Sequence, residues 1–132
     1  MNHHMPSPER HHHSPSGRHI LMELTGCTFD LLNSVDQVRS ILLSSAKDGG
    51  ATVISSHFHP FSPQGLSGVI VIAESHITIH SWPEHGYAAV DVFTCGDSSV
   101  ADKVSTAITQ KCQATHVQKH SFLRTPHGSI PS

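Results

Sequence analysis

The sequence predicts an α+β fold, a two-layer sandwich in which two helices cover one face of an antiparallel sheet. Two segments repeat apolar residues at helical spacing, and short segments typical of strands lie before, between and after them. The loops between the middle strands are too short for parallel crossovers. A sheet with apolar residues on both faces must also cover the second face, so we expect a dimer in which two sheets pack together (αββα).

The first predicted helix covers residues 33–47. Its apolar positions recur on one helix face and are Val35, Val38, Leu42 and Ala46. Ser34, followed three residues later by Gln37, forms a capping box at the start, and the Gly49-Gly50 pair ends the helix. The second predicted helix covers residues 98–112, and its inward positions are Val100, Val104, Ala107 and Ile108.

The remaining regular segments predict strands, because they are rich in β-branched residues or alternate polar and apolar residues. One strand precedes the first helix, four lie between the helices, and one follows the second helix. They cover residues 19–24, 51–57, 68–73, 76–80, 87–94 and 115–122.

The chain divides into one domain and two tails. Residues 1–17 hold five of the fourteen histidines and three prolines but little apolar surface, so this segment is predicted to be a disordered tail. The domain covers residues 18–125, and residues 126–132 are predicted to form a loose C-terminal tail. A chain of 132 residues is long enough for one domain with a single core.

Composition excludes several classes of partner. Eight basic and ten acidic residues give a net charge of −2, which argues against nucleic-acid binding. The longest apolar run, residues 69–73, is far shorter than the roughly 20 residues of a membrane-spanning helix. Three cysteines cannot all pair within the chain, and no charged-then-apolar leader opens it, so we expect a cytoplasmic protein.

Residues 57–97 carry more reactive side chains than stability requires. His57 and His59, like His76 and His80, share a face on a strand and could converge on zinc, but the chain has no Cys-x-x-Cys pair. Cys95 and His80 could instead form a nucleophile pair. Spacing alone does not decide between that pair and a cysteine that simply packs in the core.

A specific resemblance adds to these alternatives. Residues 73–96, AESHITIHSWPEHGYAAVDVFTCG, resemble the core motif of the bacterial S-adenosylmethionine decarboxylase proenzyme family. The segments FSPQGLSGVIVI (residues 61–72), GRHILMEL (residues 17–24) and GGATV (residues 49–53) are similar to other segments of that family. The resemblance extends over residues 17–124.

The resemblance implies that the chain cuts itself between Glu74 and Ser75, giving fragments 1–74 and 75–132. The Ser75 hydroxyl attacks the preceding carbonyl to form an ester. Loss of the α-proton then expels the ester and leaves a dehydroalanine, which hydrolyses to an N-terminal pyruvoyl group. That group binds the substrate amine as a Schiff base and accepts electrons during decarboxylation, so neither pyridoxal phosphate nor a metal is expected.

Five further residues match positions of the family that have assigned roles. The resemblance implies that His80 accepts a proton during processing. It also implies that Ser67 assists processing through a hydrogen bond. Cys95 matches the residue that returns a proton to the substrate carbon after decarboxylation. Glu84 matches the glutamate that holds the ribose hydroxyls, and Phe61 matches an aromatic residue that the partner subunit contributes at the adenine site.

The implied activity is that of a self-processing carboxy-lyase. It converts S-adenosylmethionine into CO2 and decarboxylated S-adenosylmethionine, the aminopropyl donor for spermidine synthesis, and it works as a homo-oligomer of cleaved protomers. Two alternatives stay open on the sequence. One is a pyruvoyl-dependent arginine or ornithine decarboxylase of the same superfamily, and the other is an unprocessed, non-enzymatic regulatory or metal-binding relative.

Overall fold

The computed structural model of the chain describes residues 15–132. Residues 1–14, most of the predicted N-terminal tail, lie outside the described residues, and that prediction stays open. The described part begins its first strand at Gly17.

Within residues 15–132 the chain forms a seven-stranded sheet in which every neighbouring pair is antiparallel. The strand order is β2-β3-β4-β5-β1-β6-β7. The strands are β1 (Gly17–Thr25), β2 (Val53–Pro60), β3 (Leu66–Ile72), β4 (Ser75–Trp82), β5 (Tyr87–Cys95), β6 (His116–Thr125) and β7 (Gly128–Pro131).

Three α-helices connect these strands in the described part of the chain: α1 (Phe29–Leu32), α2 (Val35–Asp48) and α3 (Ser98–Lys111). The predicted cap of the first long helix is confirmed, because the Ser34 hydroxyl accepts a hydrogen bond from the backbone N–H of Gln37 at 3.1 Å. Asp97 caps α3 in the same way by accepting from Ser99.

The core lies between the two long helices and one face of the sheet. The central strands contribute fully buried side chains, among them Ile20, Ile70, Ile77, Ile79 and Val92. The helices contribute Val38, Leu42, Val104 and Ile108. The predicted α+β sandwich, with an antiparallel sheet covered by helices on one face, is therefore confirmed.

The opposite face of the sheet, here called the open face, carries the alternate residues of each strand. Its central part is a mixture of imidazole, hydroxyl, carboxylate and apolar groups. These are His19, Leu21, Ser67, Val69, Val71, His76, Thr78, His80, Asp91 and Phe93.

No helix within residues 15–132 is long and apolar enough to cross a membrane.

The structure corrects one prediction and adds one element that was not predicted. Residues 128–131, expected to be part of a loose tail, form β7 and pair with the edge strand β6. The turn between them is closed by Thr125, whose hydroxyl accepts from the backbone N–H of His127 and donates to the carbonyl of Gly128. The short helix α1 was not predicted, since four residues carry too little periodicity to reveal it.

A buried hydroxyl connects α1 to the two strands beside it. The Ser81 hydroxyl donates to the carbonyl of Leu32 at 2.8 Å and accepts from the N–H of Leu66 at 3.1 Å. Next to this contact, the Asn33 side chain accepts from the N–H of Gly65 at 2.9 Å. These bonds hold the loop that leads from β2 into β3.

Replacing this hydroxyl tests its contribution to stability. Ser81→Ala leaves a buried N–H and a buried carbonyl without their partner, so we expect the free energy of unfolding to fall by about 1–3 kcal/mol. Urea denaturation followed by circular dichroism measures the change. The control is Ser129→Ala, on the exposed strand β7, which should stay within about 0.5 kcal/mol of the parent. An equal effect of both substitutions would contradict the assignment.

Candidate active site

Strand β4 determines where the predicted site residues lie, because most of them belong to it or to its two neighbours. At its first residue, Ser75 pairs with Thr94 of β5. Five residues further on, His80 pairs with Ser67 of β3 and Ala89 of β5. At roughly 3.3 Å per residue, Ser75 and His80 are about 17 Å apart along the strand.

The predicted cleavage bond lies at the beginning of β4, where the chain turns from β3. The carbonyl oxygen of Glu74 accepts a hydrogen bond from the backbone N–H of Cys95 at 2.9 Å. The Glu74 carboxylate accepts from the backbone N–H of Thr52 at 3.0 Å. Glu74, Ser75 and Cys95 are therefore neighbours, and we call this group the first half-site.

The thiol of Cys95 is close to a glycine on the adjacent strand. Gly17 pairs with Cys95, and a Cβ added to Gly17 would lie 3.1 Å from the Cys95 sulfur and 2.8 Å from the carbonyl oxygen of Thr94. A larger residue here would therefore crowd the first half-site. Cys95 is buried and free, as are Cys27 and Cys112.

The second half-site lies at the other end of β4. The Ser67 hydroxyl oxygen and Nδ1 of His80 are 2.7 Å apart. Both line an open cavity of about 400 Å³ whose wall also includes Phe61, Trp82 and Glu84. Phe61 is 52% exposed, which leaves its ring free to contact a ligand.

Local structure explains how these side chains come together. Glu84 lies in the short 3₁₀ helix Pro83–His85 that connects β4 to β5. Trp82, just before it, stacks on Tyr87 with ring centroids 5.2 Å apart. The N–H of Phe61 donates to the carbonyl of Gly65 at 2.8 Å, which closes the loop tied to α1.

The structure thus groups the predicted residues into two sets and keeps the sets apart. Phe61, Ser67, His80 and Glu84 share one cavity, whereas Glu74, Ser75 and Cys95 lie at the opposite end of β4. The pairing of Cys95 with His80 as a nucleophile pair is wrong within one chain. Cys95 lies beyond Thr94, the partner of Ser75, while His80 lies five residues away along β4.

A third cluster, which the sequence did not reveal, lies on the open face beside the first half-site. The Nε2 atoms of His19 and His76 are 2.9 Å and 3.3 Å from the same carboxylate oxygen of Asp91. Thr78 donates a hydrogen bond to the other oxygen of Asp91. A carboxylate in the middle of the apolar strand AAVDVF was the signal available, since a charge in a central strand requires partners.

This cluster also bears on the zinc alternative. The four histidines considered for zinc do not form one group, because His57, His59 and His80 line a common cavity whereas His76 bonds to Asp91. Among the described residues, the His19, His76 and Asp91 atoms are grouped within 4.8 Å of one another, a geometry that could hold a cation. In the structure the two imidazoles bond directly to the carboxylate.

Burial and hydrogen bonding act against each other on Asp91. Partial burial tends to raise the pKa of its carboxyl group, but the hydrogen bonds with His76 and His19 outweigh burial and lower that pKa below its ordinary 3.8. The ionised carboxylate is therefore the form that the native structure stabilises.

Comparison with known proteins places the chain in a family. The sequence profile of the family described as S-adenosylmethionine decarboxylase matches residues 18–125. A protein of Pelotomaculum thermopropionicum called S-adenosylmethionine decarboxylase proenzyme is 48% identical over 115 residues, covering 87% of this chain and 89% of the relative. A protein of Carboxydothermus hydrogenoformans with the same name is 61% identical over 82 residues, or 62% of this chain and 65% of the relative.

A solved structure is similar as well. The crystal structure of the adenosylmethionine decarboxylase from Aquifex aeolicus superposes with a TM-score of 0.78 at 41% sequence identity. The match covers 82% of this chain and 89% of the other. The fold is similar to that of this decarboxylase, and the chain belongs to the S-adenosylmethionine decarboxylase family.

The shift of Asp91 predicts an acid-dependent loss of stability. Because its folded pKa is lower than its unfolded one, ionised Asp91 stabilises the native state fully above about pH 5, and this contribution is lost as the pH falls through the folded pKa. In the uncut Ser75→Ala background, the stability difference between chains with Asp91 and with Asp91→Asn should therefore shrink between about pH 5 and pH 3. Urea denaturation across this range measures it, and a difference that grows on acidification would contradict the assignment.

Proposed function

We propose that this chain is a self-processing, pyruvoyl-dependent decarboxylase of S-adenosylmethionine. The observation that carries the proposal is the first half-site. The carbonyl of Glu74 is held by the backbone N–H of Cys95, and Ser75, the next residue, pairs with Thr94 beside Cys95. In a chain of this family, that arrangement serves cleavage of the bond between Glu74 and Ser75.

The hydrogen bond to the Glu74 carbonyl supports the first step of processing. When the Ser75 hydroxyl attacks this carbonyl, negative charge develops on its oxygen. The N–H of Cys95, 2.9 Å away, donates to that oxygen and stabilises the charge in the manner of an oxyanion hole. A donor placed before the reaction begins costs no reorganisation as the charge forms.

The residues present fit a pyruvoyl group at position 75. Such a group would supply an electron sink for loss of CO2 from the substrate. Cys95 lies next to this position, and we assign its thiol the return of a proton to the substrate carbon. A thiol can serve as a general acid because it can hold a proton at neutral pH and release it to a carbanion.

The second half-site suits the nucleoside part of the substrate. The Glu84 carboxylate can accept hydrogen bonds from ribose hydroxyls, and the exposed ring of Phe61 can stack on adenine. A cavity of about 400 Å³ lies within the range of small-molecule sites. His80, with its Nδ1 on Ser67, is assigned the removal of the Ser75 α-proton during processing.

Both half-sites are needed, yet they are about 17 Å apart along β4. We therefore propose a homodimer in which the open faces of two copies meet, so that each first half-site receives the partner's second half-site. Val71 and Trp82, each 41% exposed, lie on this face and would be covered. The three free cysteines suit a reducing compartment, so we place the dimer in the cytoplasm.

Intact mass measured under denaturing conditions tests the processing step. The wild type should give two fragments, residues 1–74 and 75–132, with the second lighter by one ammonia than simple hydrolysis predicts. Ser75→Ala should give one uncut chain because it lacks the attacking hydroxyl. A wild type that stays uncut after long incubation would contradict the proposal and favour an unprocessed relative.

A matched variant separates processing from turnover in the same experiment. Cys95→Ala retains the backbone N–H that holds the Glu74 carbonyl, so it should still be cut, whereas release of labelled CO2 from carboxyl-labelled S-adenosylmethionine should fall by at least about 100-fold. The processed wild type should leave arginine and ornithine unchanged. Turnover of either amino acid in preference to S-adenosylmethionine would contradict the substrate assignment.

A further inference from the structure

The first step of processing requires a base that the assignments above do not provide. The hydroxyl of Ser75 must lose its proton as it attacks the Glu74 carbonyl, because an unassisted hydroxyl is a weak nucleophile. His80 removes a different proton, from the α-carbon, and its Nδ1 is paired with Ser67. Within the described part of the chain, the imidazole recorded in contact with the Ser75 hydroxyl is that of His76, with Nδ1 3.3 Å from Oγ.

The hydrogen bonds around His76 place its lone pair toward Ser75. The carboxylate of Asp91 can only accept, so Nε2 of His76, 3.3 Å away, carries the proton that it donates to Asp91. In the neutral imidazole the other nitrogen, Nδ1, is then an acceptor. This is the nitrogen that faces Ser75 Oγ, as a general base requires.

The carboxylate that orients His76 is itself held by other side chains. Thr78 donates to one oxygen of Asp91, and Nε2 of His19 lies 2.9 Å from the other. Nδ1 of His19 accepts in turn from the guanidinium of Arg124 at 3.2 Å. Four strands thus contribute to a chain of hydrogen bonds that ends at the hydroxyl of Ser75.

We propose that His76 is the base that accepts the Ser75 hydroxyl proton in the first step of self-cleavage, and that Asp91 positions its imidazole ring. The Ser75–His76–Asp91 chain follows the logic of a serine–histidine–carboxylate triad. This inference rests on the proposed function, since it assigns a role in the same self-cleavage reaction.

The step conserves atoms and charge. As Ser75 Oγ forms a bond to the carbonyl carbon of Glu74, its proton moves to Nδ1 of His76, and the carbonyl oxygen becomes an oxyanion held by the Cys95 N–H. The imidazolium then returns the proton to the backbone nitrogen of Ser75 as the carbon–nitrogen bond breaks. The product is an ester between Glu74 and the Ser75 side chain, with a free α-amine.

Two histidines on one strand therefore serve two successive steps. His76 accepts a proton as the ester forms. His80 then removes the α-proton from the ester. Without His76, the bond between Glu74 and Ser75 should remain an amide. Without His80, processing should stop at the ester. Hydroxylamine distinguishes these outcomes because it cleaves an ester and leaves a peptide bond intact.

The experiment treats the full-length wild type, His76→Gln, His76→Ala and His80→Ala with hydroxylamine, followed by intact mass. His80→Ala should be cut after Glu74 by hydroxylamine, while both His76 variants should form ester at least about 100-fold more slowly. His116→Ala, at the start of β6, is the matched control and should process like the wild type. Ester formation in both His76 variants at the rate of His80→Ala would overturn the proposal.

Two further readouts separate a chemical role from a structural one. Added imidazole should restore cleavage to His76→Ala but not to Ser75→Ala. Asp91→Asn, which keeps the size of the side chain but can present a donor to Nε2, should slow ester formation at least tenfold while His76 is still present. Lack of rescue by imidazole in a His76→Ala protein that retains a wild-type circular dichroism spectrum would also overturn the proposal.

The behaviour of the wild type distinguishes a failure of the proposed function from a failure of the role of His76. A wild type that neither cleaves itself nor yields to hydroxylamine contradicts the proposed function. A wild type that processes normally, together with His76 variants that form ester at the normal rate, contradicts the role of His76 alone.

Discussion

The antiparallel pairing of β4 with β3 and β5 is the constraint on which the arrangement of this site depends. The register places Ser75 opposite Thr94 and His80 opposite both Ser67 and Ala89. A strand within a sheet cannot shorten, so residues five apart stay about 17 Å apart. Each end of β4 can therefore carry half of a site, and in the proposed homodimer the partner supplies the other half.

The same strand presents two imidazoles on one face and gives them different partners. His80 contacts the Ser67 hydroxyl in the wall of a cavity. His76 contacts the Asp91 carboxylate, which also contacts two other side chains. Strand alternation makes this possible, because residues 76, 78 and 80 share a face. The different surroundings allow the two rings to act at different stages of one reaction.

A carboxylate in a central strand is a cost that the rest of the open face offsets. Asp91 would be strongly unfavourable without hydrogen bonds, but His19, His76 and Thr78 satisfy its oxygens. Apolar residues at the same positions would serve stability as well or better. The cluster is therefore best explained by what it does at Ser75.

Much of the fold could be predicted because the local signals agree with the tertiary structure. The helix face of α2, its Ser34 cap and the alternation in β4 are all visible in the sequence. The strand β7 was missed because its pairing depends on the exposed edge of β6 rather than on its own apolar residues. The helix α1 is too short for a periodic signal.

Candidate site residues could be proposed from the motif, but their grouping could not. Sequence neighbours such as Ser75 and His80 suggest one centre, whereas the sheet separates them. Conversely, His19 and Asp91 are 72 positions apart in the chain and meet only because β1 pairs with β5. Contacts of this kind depend on strand order, which the local pattern does not specify.

Cleavage in mixed dimers tests the central claim, that each site combines two copies of the chain. Ser75→Ala and His80→Ala chains carrying different tags are co-expressed, purified by both tags in sequence, and analysed by intact mass. In a mixed dimer, one site pairs the intact Ser75 of the His80→Ala chain with the intact His80 of its partner. The His80→Ala chain should be cut in the mixed dimer and stay uncut when expressed alone. Failure to recover mixed dimers, or mixed dimers in which neither chain is cut, would contradict it.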